Sequence, residues 1–592
     1  MKKRLTALLT AATMLFAQSG ALPVSSASAA GDTQDDWLHV ENGKIVDMDG
    51  KEVWLTGVNW FGYNAGRQVF DGVWSKNMHD MLNQIADHGF NLLRVPMSTQ
   101  IILQWKNHGP DTGQGVGEVQ MMVNAYKNPE LTVEGGVDGQ GQYTIKYSFD
   151  IWNMAVNWCK ENGMKIMVDI HSATTAAMGH QKPLWYDDNF SEDDWLEALE
   201  WFCDYYKDDD TIVAIDLKNE PHGKPEEGSF AKWDDSKDSN NWKYAAEKGA
   251  MACLNQNPNL LIMIEGVECY PDFARGGDWS SPCVDYAHYD EPSLIFGAWW
   301  GGNLRGVKDH PVDIGKYNKQ IVYSPHDYGP LVWKQSWFYM DDDSKTFSRE
   351  SLLDDYWRDT WAYLVEENMY PLLMGEWGGF IDKTKDPTGE NKHWMQELRD
   401  YMIDKHIHHT FWCFNENSGD TGGLVYDDFG KWDEEKYNFV KPALWQDADG
   451  TFIGLDHKIP LGANGQSLTE YFTGNKTEHP RITTDEPEQT TAPDQTTLPQ
   501  DGTTLPAEDD TTVKPAGKTK YGDVNCDTNI DVADAVLLAR YCAEDKEISV
   551  TGQGLINAEV TGDGKVTAED NARIMLYLAT FISEVELNPN AK

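Results

Sequence analysis

Eight short apolar runs between Val53 and Gly419 constrain the fold of this 592-residue chain more than any other feature. Each run has the composition of a buried strand, and helix-compatible segments separate most of them. The runs are VWLTGVNWFGYN, NLLRVPMS, KIMVDIHS, VAIDLKNEP, LLIMIEGVE, QIVYSPHDYG, PLLMGEWGG and HTFWCFNENSG. Alternating strands and helices indicate an α/β fold with a parallel sheet, and eight repeats are the number that closes a (β/α)8 TIM barrel. The alternative is a doubly wound open sheet.

Nearly every run ends in polar or aromatic side chains that do not suit a dry core. These endings are Asn59 with Trp60, Arg94, His171, Asn219 with Glu220, Glu265 with Glu268, His326 with Tyr328, Glu376, and Trp412. Barrel enzymes build their sites at the carboxyl ends of the strands. A single polar ending is explained by a turn, whereas a ring of them predicts a site.

Glu220 and Glu376, after the fourth and seventh runs, are the predicted catalytic pair. Two carboxylates facing each other across a barrel mouth can hydrolyse a glycosidic bond, one as proton donor and the other as nucleophile or base. Either residue alone is better explained as a solvated carboxylate at a strand end, and it is the two together, among aromatic residues, that favour catalysis. Glu265 and Glu268 are the alternative candidates for catalysis.

Other strand-end groups have chemistry that suits this pair. Arg94 can hold Glu376 ionised through a charge-assisted hydrogen bond, and Tyr328 can orient it, which favours a nucleophile over an acid. Groups that can bind sugar hydroxyls are Asn219, His171 and His326. The two histidines are also consistent with a structural role.

Aromatic residues make up 12% of the chain and fit a carbohydrate substrate. Trp74, Trp299, Trp300 and Trp412 fall at loop or strand-end positions. The C–H faces of sugars pack on flat apolar rings while their hydroxyls reach polar rims. Since consecutive strand residues point to opposite faces, core packing does not easily explain both Trp299 and Trp300.

The composition divides the chain into four segments. Residues 1–30 have basic residues, an apolar stretch and Ala27-Ser28-Ala29, the pattern of a secretory signal. All 24 tryptophans lie between Trp37 and Trp445, within the predicted barrel domain 32–477. Residues 478–520 are rich in Thr, Pro and Asp, and are expected to form a disordered linker. A small domain is predicted at 521–585.

The net charge of −47 limits the partners of the exported protein. It disfavours nucleic acid and anionic membranes, while neutral substrates and cations remain possible. After the signal, no run is long enough to span a membrane, so we expect an extracellular protein without a membrane partner. The eight cysteines show no zinc pattern; export permits a disulfide such as Cys269 with Cys283, which the sequence does not establish.

The small domain carries two acidic loops that each precede an apolar helix. Hard oxygen ligands at loop positions 1, 3, 5 and 12 can surround Ca²⁺. The first loop supplies Asp523, Asn525, Asp527 and Asp534, and the second supplies Glu559, Thr561, Asp563 and Asp570. An acidic surface run is a sufficient explanation for one such loop, whereas two loops that each lead into an apolar helix favour calcium binding.

Over the first domain, the motifs NWFGYN, NLLRVPMS, DLKNEPHG, AWWGGNL, YSPHDYG, GEWGG and FWCFNENSGDTGG resemble the glycoside hydrolase family 5 endoglucanases. The resemblance implies a retaining mechanism that needs no cofactor, with Glu220 as acid/base and Glu376 as nucleophile. It places around them Arg94, His171, Asn219, His326 and Tyr328, with Trp74, Trp300 and Trp412 stacking on glucosyl units. Two positions depart from the family pattern: Trp377 replaces the phenylalanine of GEFG, and Phe414 stands where relatives often carry tryptophan.

The two acidic loops resemble a dockerin, a small α-helical module with duplicated calcium loops that binds a cohesin on a scaffolding protein. Thr528 replaces the usual loop glycine, and Glu559 and Thr561 replace the usual Asp and Asn. We therefore expect a secreted endo-β-1,4-glucanase that cleaves cellulose and joins a cellulosome. One alternative is the same chemistry on xyloglucan, glucomannan or xylan. Another is a non-catalytic carbohydrate-binding protein.

Overall fold

The computed structural model describes two compact parts of the chain, and each is treated by itself. The described residues are 35–108, 117–137, 143–283, 293–339 and 345–475 in the first part, and 520–526, 530, 532–542, 550–561, 565–578 and 587 in the second. The predicted signal 1–30 and nearly all of the predicted linker 478–520 lie outside these residues. So do Asp527 and Asp563.

Eight parallel strands form the barrel that the sequence predicts. They are β3 Thr56–Asn59, β4 Leu92–Ser98, β7 Lys165–Ser172, β8 Ile212–Asp216, β9 Leu261–Ile264, β12 Ile321–Tyr323, β13 Leu373–Met374 and β14 His408–Phe411. The hydrogen-bonded order is β12-β9-β8-β7-β4-β3-β14-β13. Parallel bridges Tyr323↔Leu372 and His326↔Glu376 connect the two ends of this order. The sheet is therefore a nearly closed cylinder, and the open-sheet alternative is wrong.

Four antiparallel pairs lie outside the barrel sheet. They are β1 His39–Glu41 with β2 Lys44–Val46, β5 Thr132–Val137 with β6 Tyr143–Ile145, β10 Cys269–Pro271 with β11 Ile295–Gly297, and β15 Val425–Tyr426 with β16 Lys431–Trp432. Short 3-10 turns occur at Pro129–Leu131, Gly179–Gln181, Pro225–Glu227, Phe273–Arg275, Arg305–Val307, Gly315–Gln320, Ser336–Phe338 and Lys441–Ala443.

Helices between the strands cover the barrel. They are α1 Met78–Asp87, α2 Thr99–His108, α3 Gly117–Met122, α4 Ser148–Glu161, α5 Glu192–Tyr205, α6 Trp242–Gln256, α7 Arg349–Leu352, α8 Tyr363–Glu366, α9 Glu390–Lys405, α10 Glu434–Val440 and α11 Leu468–Thr473, with a π-helical segment Leu353–Ala362 between α7 and α8. Local sequence sets their starts. Ser191 begins α5 with a capping box in which Ser191 and Asp194 bond each other's backbone N–H.

Alternation of side chains along the strands divides the barrel interior into layers. Inward positions near the amino ends are apolar and pack together: Leu92, Met167, Ala214, Leu261, Met263, Val322 and Leu373. Two residues further along three of these strands come Arg94, Asp169 and Asp216, which are all fully buried. The period of two therefore places a charged layer directly above the apolar one.

The amino ends of the strands are closed by chain segments that flank the barrel in sequence. Trp54, Trp445, Ile453 and Leu468 join the apolar interior there. Lys165, at the start of β7, is buried and its Nζ lies 2.8 Å from Asp36, 3.2 Å from Asp210 and 3.3 Å from Asp456. This ion cluster ties the first and last segments of the domain to the barrel.

The second part contains α12 Val532–Cys542, α13 Gly552–Ala558 and α14 Ala568–Leu578. Its small core includes Val524, Leu538, Val560, Ile574 and Leu587. Each predicted calcium loop directly precedes or enters one of the two longer helices.

The described helices include none that is long and apolar enough to cross a lipid bilayer.

Candidate active site

Arg94 lies fully buried at the centre of the charged layer and uses its guanidinium to connect the strand ends. Nη1 donates to Glu376 Oε1 at 2.8 Å and to Asn59 Oδ1 at 2.9 Å. Nη2 donates to Asp216 Oδ2 at 2.9 Å and to Asn219 Oδ1 at 3.0 Å. Burial alone would lower the pKa of Arg94, but the surrounding carboxylates raise it well above its ordinary value. Arg94 is therefore a permanent cation.

Glu376 is 4% exposed and receives hydrogen bonds on both carboxylate oxygens. Arg94 donates to Oε1, and the Tyr328 hydroxyl donates to Oε2 at 2.6 Å. Burial, followed by the charge of Glu376, raises the pKa of Tyr328 well above its ordinary value, so the phenol remains a donor. Donors on both oxygens fix the orientation of the Glu376 side chain.

Glu220 lies across from Glu376 on the segment that follows β8. Its backbone has a φ of 50°, and its N–H donates to Glu265 Oε2 at 2.7 Å. Its Oε1 lies 3.0 Å from His326 Nδ1. Single carboxylate oxygens of Glu220 and Glu376 and one nitrogen of His326 all lie within 4.8 Å of one another. The structure thus brings the predicted pair to the two sides of one small space.

The charge state of Glu220 depends on His326. Burial alone would raise the pKa of Glu220, but the hydrogen bond and charge of His326 lower it to about 2. Burial would likewise lower the pKa of His326, whereas the carboxylates of Glu265, Glu376 and Glu220 raise it well above the ordinary value. In the free protein, the proton shared by this pair therefore resides on the imidazole.

His171 and Asn219 offer neutral groups beside the two carboxylates. His171 Nδ1 lies 2.6 Å from Asp169 Oδ2. Burial lowers the pKa of His171 well below its ordinary value, so a neutral ring donates through Nδ1 and keeps Nε2 as an acceptor. Asn219 Nδ2 is buried and donates to no other described residue. A buried donor of this kind is costly unless a ligand accepts from it.

The three tryptophans predicted to stack on sugars are all partly exposed, while Trp299 is buried. Trp300 stacks on His222 with ring centroids 3.8 Å apart. Trp412 is parallel to Phe61 at 5.5 Å and forms a cis peptide with Cys413.

Trp74 has a different support. Its Nε1 donates to Asp428 Oδ1 at 2.9 Å, and the edge of its ring contacts Phe429. Asp428 lies in the turn between β15 and β16, in the segment that follows barrel strand β14. Trp74 lies in the loop that follows barrel strand β3, so this hydrogen bond joins the two loops.

The two departures from the family pattern are buried in the core. Trp377 packs edge-on against Phe411 and donates from Nε1 to His409 Nδ1 at 3.3 Å. Phe414 is 1% exposed and packs against Trp60 at 5.0 Å. Phe414 therefore offers no stacking surface at this position.

Glu265 and Glu268, the alternative catalytic candidates, both accept hydrogen bonds from backbone N–H groups of the segment that carries Glu220. Glu265 is fully buried and accepts from the Glu220 N–H, and its Oε1 lies 3.1 Å from His326 Nε2. Glu268 Oε2 accepts from the Gly223 N–H at 2.8 Å.

Sequence reasoning did not assign site roles to Asn59, Asp169 and Asp216. All three belong to the hydrogen-bonded groups around Arg94 and His171. A signal was available, since Asp169 lies two residues before His171 on β7, and Asp216 two residues after the inward-facing Ala214 on β8. Period-two alternation puts each of them on the inner face of its strand.

In the second part, the residues at loop positions 3 and 12 are hydrogen-bonded to each other in both loops. The Asn525 N–H donates to Asp534 Oδ1 at 3.0 Å. The Thr561 hydroxyl and N–H donate to Asp570 Oδ1 at 2.9 and 3.0 Å. Asp534 and Asp570 are both fully buried. Such sets of hard oxygen atoms fit Ca²⁺.

A barrel with two facing carboxylates at the carboxyl ends of its strands is typical of glycoside hydrolases, and comparison with known families agrees. Residues 46–418 match the cellulase family (glycosyl hydrolase family 5), and residues 521–579 match the dockerin type I domain. The chain therefore belongs to glycoside hydrolase family 5, and it is a cellulase that carries a dockerin domain.

Individual relatives agree with this assignment. The chain is 44% identical over 550 residues to Endoglucanase G of Acetivibrio thermocellus, covering 90% of each chain. It is 41% identical over 530 residues to Endoglucanase B of the same organism, covering 86% of each. The chain is 30% identical to the hyperthermophilic endocellulase from Pyrococcus horikoshii, whose structure has been solved, with a TM-score of 0.55. The match covers 69% of this chain and 98% of that chain. The expected family, barrel and enzyme class are confirmed.

Proposed function

We propose that the protein is an extracellular endo-β-1,4-glucanase that cleaves cellulose chains with retention of configuration. The observation that carries this proposal is the Glu220–Glu376 pair, with carboxylate oxygens within 4.8 Å of each other. Retaining glycosidases hold their carboxyl groups about 5 to 5.5 Å apart, whereas inverting enzymes need about 6.5 to 9.5 Å for a water molecule.

In the first step, Glu376 Oε attacks the anomeric carbon while Glu220 protonates the departing glycosidic oxygen. The C–O bond to the leaving sugar breaks as the bond to Glu376 forms, giving a covalent glycosyl-enzyme. The hydrogen bonds from Arg94 and Tyr328 orient Glu376 before the attack. Asn219 Nδ2, a buried donor, is placed to bond a sugar hydroxyl in this state.

In the second step, Glu220 removes a proton from a water molecule that attacks the same carbon. The sugar leaves Glu376, which becomes a carboxylate again, and two inversions give net retention. Glu220 thus serves as acid and then as base.

The proton for the first step is supplied through His326. In the free protein the imidazole holds the proton and Glu220 is ionised, with a pKa of about 2. The 3.0 Å contact between His326 Nδ1 and Glu220 Oε1 lets the proton cross to Glu220 when the developing alkoxide demands it. Loss of this proton sets the alkaline limit of activity in our mechanism.

Cellulose as substrate is supported by the partly exposed indoles of Trp74, Trp300 and Trp412, because flat aromatic rings suit the faces of unbranched glucan chains. The similar proteins carry the names endoglucanase and endocellulase. One of the similar solved structures is of a complex of the Pyrococcus horikoshii endocellulase with cellotetraose.

For the second part, we propose calcium-dependent binding to a cohesin of a cellulosome. Asp523, Asn525, Asp527 and Asp534 would hold one Ca²⁺, and Glu559, Thr561, Asp563 and Asp570 a second. The ion would neutralise carboxylates that otherwise repel one another and would fix the loops before α12 and α14. Residues 1–30 support export.

The carboxylate roles are tested by comparing Glu220→Ala and Glu376→Ala on cellulose and on dinitrophenyl cellobioside, whose leaving group needs no protonation. Glu220→Ala should lose cellulose hydrolysis but release a burst of dinitrophenolate, because the glycosyl-enzyme still forms and then decays slowly. Glu376→Ala should be inactive on both. Wild-type products should retain the β configuration by NMR. An inverted product, or a burst from Glu376→Ala alone, would show that the mechanism or the roles are wrong.

A further inference from the structure

Two segments join beside the catalytic pair through a repeated contact. The acid segment, residues 217–223, follows β8, and the clasp segment, residues 265–268, follows β9. Glu265 Oε2 accepts from the Glu220 N–H at 2.7 Å, and Glu268 Oε2 accepts from the Gly223 N–H at 2.8 Å. Two glutamates three residues apart thus bind two backbone amides three residues apart.

Glu268, unlike Glu265, also contacts a tryptophan that we expect to stack on the substrate. The side chain of Trp300 lies close enough to lower the pKa of the Glu268 carboxyl through hydrogen bonding. The opposite support of Trp300 is His222 of the acid segment, whose ring is parallel to it at 3.8 Å and 6°. The Gly301 N–H donates to Pro221 O at 3.4 Å. Trp300 is therefore fixed to the acid segment from several directions.

His222 itself has little freedom. Its Nδ1 lies 2.7 Å from Glu220 O, and its Nε2 lies 3.2 Å from Gln181 O. Burial lowers the pKa of His222 to about 4, so the neutral ring has one N–H and donates it to one of these two carbonyl oxygens. The Trp300 face is consequently tied, through His222 and Glu268, to the backbone that carries Glu220.

The chemistry of Glu268 fits a double acceptor. Gly223 N–H and the Trp300 indole N–H are both donors, and a carboxylate can accept both. Burial is the main influence on this carboxyl and raises its pKa to about 7, while Lys224 opposes that effect only in part. Burying a carboxylate costs free energy, so the buried position of Glu268 indicates that its contacts have a role.

We propose that Glu268 is a positioning residue that sets the Trp300 face relative to Glu220. The sugar on the leaving side then stacks on Trp300 with its glycosidic oxygen in reach of the proton donor. This inference rests on the proposed function, since it assumes that Trp300 stacks on a glucosyl unit. Misplacement of a stacked sugar should lower turnover of substrates that have a leaving sugar, and spare those that have none.

The test compares kcat/KM of full-length variants on cellopentaose and on dinitrophenyl cellobioside. Glu268→Ala should lose roughly tenfold to a hundredfold on cellopentaose, and change little on the aryl substrate. Glu268→Gln keeps the side-chain shape but has one acceptor oxygen for two donors, so its loss on cellopentaose should be intermediate. Glu226→Ala is the matched control, because Glu226 accepts from the Cys283 N–H at 3.1 Å and joins the same two loops away from Trp300.

A double variant shows whether Glu268 acts through Trp300. In a Trp300→Ala background, Glu268→Ala should have almost no further effect on cellopentaose. Equal losses on both substrates, or losses that multiply in the double variant, would overturn the proposal and indicate a general structural role. If Trp300→Ala is selective for cellopentaose but Glu268→Ala is not, only the role of Glu268 is wrong. If Trp300→Ala is not selective, the stacking role in the proposed function fails first.

Discussion

His457 offers a quantitative test of the ion cluster that holds the ends of the catalytic domain. Its Nδ1 lies 2.6 Å from Asp36 Oδ1, and its Nε2 lies 3.2 Å from Asp47 Oδ2. Hydrogen bonds to Asp36 and Asp47 raise the pKa of His457 from 6.5 to about 9, although burial opposes them. The imidazolium side chain is 15% exposed, so solvent screens these contacts only in part.

The sign follows from proton linkage. Because the folded-state pKa of His457 exceeds the unfolded value, its stabilising effect is complete below about pH 6.5 and disappears as the pH rises through 9. Each pH unit between the two values corresponds to about 1.4 kcal/mol, so the full effect is about 3 kcal/mol. His457→Gln should therefore lower the free energy of unfolding by about 3 kcal/mol at pH 6 and much less at pH 10.

Urea unfolding followed by tryptophan fluorescence measures this effect on the full chain, because all 24 tryptophans lie between Trp37 and Trp445. His310→Gln is the control, since His310 contacts one carboxylate, Asp235, which is exposed. An exposed pair of this kind is worth about 0.2 to 1 kcal/mol. A difference between wild type and His457→Gln that is the same at pH 6 and pH 10 would refute the linkage argument.

Three further predictions concern the parts of the molecule separately. Asp428→Ala removes the acceptor for Trp74 Nε1, so it should raise KM for cellohexaose and leave kcat on dinitrophenyl cellobioside unchanged in steady-state kinetics. A fall in both KM for cellohexaose and kcat on the aryl substrate would contradict this prediction. Gly301→Ala should abolish cellulose hydrolysis, because its Cβ would lie 2.1 Å from Glu265 Oε2 at a φ of +68°, whereas Gly276→Ala, with no atom within 4 Å, should stay active. Calcium chelation should abolish cohesin binding measured by calorimetry while cellulose hydrolysis continues, and binding that survives chelation would contradict the calcium proposal.

Much of the site could be predicted because parallel strands align their carboxyl ends. The runs that contain Arg94, Glu220 and Glu376 each read as a buried strand with a polar ending, and closure of eight strands brings those endings together whatever their separation in sequence. The contact of Arg94 with Glu376 joins residues 282 positions apart, yet it follows from strand order alone.

Other features could not be read from strand endings. Phe414 and Trp412 are two residues apart after the same strand, but Phe414 is buried against Trp60 while Trp412 is partly exposed. Their roles depend on what the neighbouring loops cover. Loop packing is set by contacts between distant segments, which local composition does not encode.

The sequence by itself determined the barrel and the family, and it predicts the carboxylate pair, since strand period and motif order can be read without any knowledge of packing. Only the tertiary structure decided that Glu265 and Glu268 accept hydrogen bonds from the backbone of the acid segment. It also decided that His326 holds the proton for Glu220. Both findings depend on which side chains meet in the buried interior of the barrel. A single hydrogen bond or charge there can shift the pKa of a carboxyl group strongly, so similar carboxylates acquire different properties.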